Sequence, residues 1–323
     1  CLYLFQHLHM AHAKRPDLQG LRGWAVAAVV LFHFFPSALP YGFLGVDVFF
    51  VLSGFLIALV LDSRPSDLTS FVSFYFKRIR RIFPLLLLVT FILLVYIVFR
   101  ANPDYVFYNT KSALRAMLFI MNWRGTDDAE EYFRLLETAK DLFTHTWSLA
   151  VEVQYYLIAP AILLVGKKGS GDLLLPFLSI VASSSLVLFM LIDKDVAFNL
   201  TIARLWQFTL GAFVYELQKD TDGFQKLPLS SDEMDLDFRV VDSNRREIVF
   251  ISVLIWLVPF IALLYHFTWD LVFRILVTLF AALTIFLSSP SPLLSHPWPV
   301  SLGDASYALY LVHWPVVCLA KEL

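Results

Sequence analysis

The sequence predicts an all-α fold, a polytopic transmembrane helical bundle of about nine spans plus one re-entrant or interfacial segment. Three observations predict it. Hydrophobic residues make up 59% of the 323 and charged residues only 16%, with a mean hydropathy of +0.69, which is more apolar surface than a soluble domain buries. The 31 Phe and 8 Trp supply lipid-facing bulk and interfacial anchors. Apolar runs of span length, or close to it, recur along the whole chain.

The runs fall at Leu21–Phe35, Phe43–Leu61, Ile82–Phe99, Leu149–Val165, Leu173–Ile192, Thr201–Tyr215, Ile248–Tyr265, Leu271–Ser288 and Tyr307–Leu319. A further apolar piece, Ala113–Met121, is too short to cross alone and reads as re-entrant or interfacial. Residues 1–13 form a poorly defined segment whose apolar patch is broken by His7, His9 and His12; with no positive region ahead of it, it is a poor signal peptide. The membrane domain is expected over 14–323. The chain begins at Cys1 and stops at Leu323 inside an apolar helix, which reads as a piece of a longer protein.

Lys and Arg asymmetry sets the expected orientation. With a cytosolic N-terminus, the cytosolic side carries Lys14, Arg15, Arg22, Lys77, Arg78, Arg80, Arg81, Lys167, Lys168, Lys219, Arg245 and Arg246. The loop from Arg100 to Thr146 is acidic on balance and faces the lumen or the exterior. The long hydrophilic stretch Lys219–Glu247 is then a cytosolic loop. A net charge of −2 excludes the basic balance of a nucleic-acid binder. The two cysteines, Cys1 and Cys318, give neither a disulfide framework nor a Cys-based metal site, and no metal is expected.

Ionisable residues inside spans are costly and point to function. Arg22 and His33 are separated by about three helical turns, roughly 16 Å, and return to nearly the same face. Arg22 reads either as a snorkelling anchor or as a functional cation, and His33 either as an interhelical hydrogen-bonding group or as a base. Asp47 falls about one turn inside the outer end of the next span, at the depth of His33. A carboxylate on one imidazole nitrogen would raise the basicity of the other. Ser53 and Gly54, deeper in that span, read as helix-packing residues, since no base is evident at the depth of Ser53.

Arg78 and Arg81, at i and i+3 near the cytosolic face, can fork onto phosphate oxygens or serve as ordinary positive-inside charge. The segment HTWSLAVEVQYYL brings His145, Trp147, Ser148 and Glu152 in from the outer side. Trp147 is either an interface-belt residue or a site residue, and Glu152 either partners an arginine or joins the chemistry. In the last run Tyr307, Tyr310 and His313 share a face, with His313 near mid-depth, where a packing hydrogen bond and proton transfer are both open.

In this order the segments RPDLQGLRGWAVAAVVLFHF, GFLGVDVFFVLSGFLI, Arg78-x-x-Arg81 with Pro84, HTWSLAVEVQYYL and SLGDASYALYLVHWP strongly resemble the acyltransferase-3 family of membrane O-acyltransferases, particularly its nematode-like members. The resemblance implies transfer of an acyl group, acetyl above all, from cytosolic acyl-CoA to a hydroxyl of an extracytoplasmic or lumenal acceptor, carbohydrate or lipid. It implicates Arg22 and His33 as the essential pair and Arg78 and Arg81 at the donor side. It also implies a multi-pass protein of the plasma membrane or an endomembrane. Family members carry one further span after the HWP motif, and some an SGNH-type domain beyond it; this sequence stops before either.

These strands combine into one expected mechanism. His33, oriented by Asp47, deprotonates the acceptor hydroxyl for attack on the thioester or itself carries the acyl group. Glu152 orients the acceptor or His33, and Arg22, Arg78 and Arg81 hold the CoA. The competing class is a transporter or lipid-handling protein, because polar residues in a bundle also line substrate paths. Inverted repeats would favour that class, and none is visible in the sequence.

Overall fold

The computed structural model describes residues 15–63, 65, 67–99, 103–123, 140–167, 173–221, 251–252, 255, 268–287 and 291–322. Among them every regular element is helical: α1 Pro16–Phe34, α2 Gly45–Asp62, α3 Leu68–Phe99, α4 Pro103–Met117, α5 Trp147–Lys167 and α6 Leu174–Leu191 come first. They are followed by α7 Lys194–Asn199, α8 Thr201–Thr221, α9 Trp269–Leu287, α10 Pro292–Ser295, α11 Pro297–Asp304 and α12 Ser306–Glu322.

Five helical stretches among the described residues are long and apolar enough to cross a membrane: Gly42–Asp62, Leu68–Phe99, Thr144–Gly166, Leu174–Leu191 and Trp269–Leu287. Their exposed faces need lipid. Phe91, Ile92, Val95, Val98 and Phe99 lie open on α3, and Leu276, Leu279, Phe280, Leu283 and Leu287 on α9, far more contiguous apolar surface than water tolerates. The protein is therefore a membrane protein. Three of the other predicted runs coincide with α1, α8 and α12, which carry charges along their length or, at 17 residues for α12, are short. Most of the predicted run Ile248–Tyr265 and most of the loop Lys219–Glu247 lie outside the described residues.

Local chemistry explains the helix limits. Pro16 opens α1, where its missing N–H costs nothing, and α1 ends two residues short of Pro36. Asp67 accepts from the Ser70 amide at 3.0 Å and caps α3, which begins some way ahead of the predicted run Ile82–Phe99. Arg78, Arg80 and Arg81 therefore stand on a continuous helix, not in a loop. The short apolar piece Ala113–Met121 proves to be the end of the amphipathic α4 plus a turn, in which Phe119 takes φ 54°.

α2 crosses α8 at close range. A Cβ on Gly54 would collide with the Phe208 carbonyl, and one on Gly211 with the Val51 carbonyl, so each glycine admits the other helix's backbone. Phe208 stacks between Phe50 and Tyr155, with ring centroids 4.6 and 4.1 Å away, which ties α5 to the same pair. At one end of this pair Lys219 meets Asp62 at 2.9 Å, joining the C-terminal ends of α2 and α8.

Candidate active site

α12 places polar groups at three-residue intervals, which on an α-helix forms one stripe rising about 4.5 Å per step. Tyr307 Oη donates to the Ile82 carbonyl at 2.7 Å, one residue past Arg81. Tyr310 Oη donates to the His145 carbonyl at 2.5 Å and is hydrogen-bonded to the Ser148 hydroxyl. His313 Nε2 lies 3.2 Å from His33 Nδ1. The stripe thus runs from the arginine end of α3 up to His33 on α1.

Hydrogen placement follows from these partners. His313 Nδ1 is 2.7 Å from the Tyr310 carbonyl, so it carries the proton and Nε2 accepts. His33 Nδ1, facing that acceptor and the Val29 carbonyl at 2.7 Å, carries its own proton. The lone pair of neutral His33 then sits on Nε2. His145 completes the group, its ring edge-on to His313 with centroids 5.6 Å apart. All three histidines are buried.

Asp47 does not pair with His33. Its fully buried carboxylate accepts from Arg274 Nη1 at 2.7 and 2.6 Å and from Arg204 Nη1 at 3.2 Å. The histidine partner that geometry supplies is His313, because α12 and not α2 brings a group to the Nδ1 side of the ring. Asp47 nevertheless shares a small cleft with His33, Arg274, Tyr310, Trp147 and Phe198. Trp147 is buried and not part of an interface belt: it is 4% exposed, and its ring lies 4.4 Å from that of Phe198.

Glu152 also stands elsewhere than expected. It accepts from the Ser53 hydroxyl and from the Tyr156 hydroxyl, so a carboxylate does sit at the depth of Ser53. Its charge faces Arg22, which lies within electrostatic reach of Glu152, Tyr156, Arg78 and Arg81. Arg22 Nε is buried without a hydrogen-bond partner among the described residues. Arg78 stacks on Tyr156 at 5.2 Å and on Phe74 at 5.6 Å, and Arg81 is exposed. No ion pair ties up Arg22, Arg78 or Arg81 among the described residues. Three guanidiniums gather at one end, and the histidines gather at the other. Among the described residues no group of His, Cys, Asp and Glu is arranged to hold a metal ion.

Sequence reasoning passed over Arg204 and Arg274. Both lie one turn inside a predicted span, at the same end as Asp47, so the rule that singled out Asp47 applied equally to them.

A family model for an acyltransferase domain matches residues 15–322, all but the ends of the chain. The chain belongs to the acyltransferase-3 family. It is 28% identical to the O-acetyltransferase OatA of Staphylococcus aureus over 98% of its own length and 53% of that protein's. It is 35% identical to the peptidoglycan O-acetyltransferase OatA of Listeria monocytogenes over 47% of its length and 25% of that relative's. The putative peptidoglycan O-acetyltransferase YrhL of Bacillus subtilis is 34% identical over 50% of the chain and 25% of its own length. The chain therefore spans at most about half the length of these curated relatives. No solved structure matches it.

Proposed function

We propose that this chain is a membrane O-acyltransferase that moves an acyl group from cytosolic acyl-CoA to a hydroxyl on an extracytoplasmic or lumenal acceptor. The observation that carries the reading is the α12 stripe Tyr307, Tyr310, His313, which links arginines that make no ion pair among the described residues at one end to a buried, oriented histidine at the other. O-acetyl transfer in the names of the relatives favours acetyl-CoA as donor, and peptidoglycan in two of those names favours a carbohydrate acceptor. The N-terminus is cytosolic in this reading, which puts Arg22, Arg78 and Arg81 on the donor side, with about nine spans and one acyltransferase domain over 14–323.

Each group then has a task. Arg78 and Arg81 fork onto the CoA phosphates, and Arg22 adds charge deeper along the path. His33 Nε2 takes the proton of the acceptor hydroxyl as its oxygen attacks the thioester carbonyl. The tetrahedral oxyanion collapses, the C–S bond breaks, and the departing CoA sulfur recovers the proton from His33. His313, accepting from Nδ1, holds the ring in the productive tautomer and takes the place a carboxylate fills in a triad. Glu152 keeps Ser53 and Tyr156 in place and balances Arg22.

Proteoliposomes test the reading directly. Labelled acetyl-CoA outside sealed vesicles of known orientation, with a glycan acceptor inside, yields an acylated glycan only when the arginine end faces out. Acylation from the opposite face, or none from either, contradicts it.

A further inference from the structure

Among the described residues, the centre around Asp47 is one negative charge short. Asp47 supplies the one carboxylate, while Arg204 and Arg274 bring two guanidiniums that remain protonated. Asp47 and Arg204 are fully buried, and Arg274 is 5% exposed. Arg204 spends Nε on the Phe198 carbonyl at 2.9 Å and Nη1 on Asp47, but its Nη2 is buried without a partner. Arg274 makes both its contacts to Asp47 through Nη1. The rings of Phe198, Phe189, Trp147 and Phe43 stand 4.8 to 5.7 Å from the two guanidiniums, which softens an excess cation without neutralising it.

An uncompensated buried charge is strongly unfavourable, so its persistence calls for an anion that arrives with the substrate. Asp47 and Arg274 line the cleft that His33 and Tyr310 also line, and His33, neutral in its resting tautomer, adds no negative charge there. Locked by Asp47, the Arg274 guanidinium is a fixed positive wall beside the base.

We propose that this cleft is an oxygen-anion site, with Arg274 as the contact residue and Arg204 as the charge behind it. The oxygen anion has two sources of the same chemistry: a carboxylate carried by the acceptor, or the tetrahedral oxyanion of acyl transfer, the latter resting on the transfer reading above. Asp47 is then a positioning residue for Arg274 rather than for His33.

Formate is the probe. In the purified full chain, thermal unfolding is followed against sodium formate, with chloride holding ionic strength constant. The site predicts a saturable rise in Tm for the wild type, a smaller one for Arg274→Lys and none for Arg274→Met. No rise in the wild type, or an undiminished rise in Arg274→Met, overturns the site. Kinetics with Arg274→Lys then separate the sources. About a hundredfold loss of kcat on acceptors with and without a carboxylate assigns the oxyanion. A tenfold or greater rise in KM confined to carboxylate-bearing acceptors assigns the acceptor anion. Unchanged kcat and KM on both overturns the proposal. A formate response in a wild type that transfers no acyl group upholds the anion site and removes the transfer reading alone.

Discussion

His33 on α1 and His313 on α12 meet nitrogen to nitrogen at 3.2 Å, with the proton on the His33 side because His313 already donates to the Tyr310 carbonyl. A neutral imidazole is a weaker acceptor than a carboxylate, so it orients His33 without pulling its proton away. That suits a base in a low-dielectric setting, where a buried unpaired carboxylate would be expensive.

Replacing His313 tests this directly. His313→Leu leaves the His33 Nδ1–H only the Val29 carbonyl of its own helix, without the partner from α12, and lowers kcat by about 10²-fold, the scale of general-base assistance, with KM for acyl-CoA unchanged. His313→Gln retains a side-chain carbonyl that can accept from Nδ1 and recovers part of the rate. Equal losses in the two variants would make His313 a packing residue.

The donor end makes a separate prediction. Arg78→Ala and Arg81→Ala each raise the Kd for acyl-CoA about tenfold or more, as loss of a charge-assisted phosphate contact does. Lysine restores the charge but not the fork, so Arg81→Lys recovers only part of the affinity. Isothermal titration with the non-hydrolysable thioether analogue of acetyl-CoA measures both.

The α2–α8 crossing predicts a stability effect. Gly54→Leu forces a side chain into the Phe208 backbone and costs about 1–3 kcal/mol or more, read as a lower Tm in detergent. Leu88→Ala, on the lipid-facing side of α3, serves as the control and stays within about 0.5 kcal/mol.

Glu152 yields a charge test. Glu152→Gln keeps an acceptor for Ser53 and Tyr156 but leaves Arg22 unbalanced, adding one positive charge to the arginine end. Acyl-CoA binding is then retained or tightened while kcat falls about tenfold, on the scale of one lost charged interaction. Weakened binding in that variant would contradict the placement of Glu152 beside Arg22.

Hydropathy and the 3.6-residue period made much of this legible. They located most of the long helices, though not the full extent of α3 nor α4, put Arg22 and His33 on one inward face of α1, and put Tyr307, Tyr310 and His313 on one face of α12. Neither speaks to which helices touch. The pairing of His33 was therefore misassigned to Asp47, an equal-depth neighbour along the chain, when the contact comes from a helix some 280 residues away. Glu152 was read only as a group entering from the outer side, which kept it apart from Ser53, its actual partner. Whether Trp147 was an interfacial or a buried ring stayed open because its burial depends on Phe198, a residue on a different helix. Arg204 and Arg274 were within reach of the intramembrane-charge rule and needed only to be read together with Asp47.

The central claim is that His33 is the base for acyl transfer. Transfer of labelled acetyl from acetyl-CoA to a glycan acceptor, measured in proteoliposomes for the wild type and His33→Gln at equal protein, tests it most directly. A base at His33 means a loss of about 10²- to 10⁴-fold in kcat with acyl-CoA binding intact. Wild-type turnover by His33→Gln would contradict it.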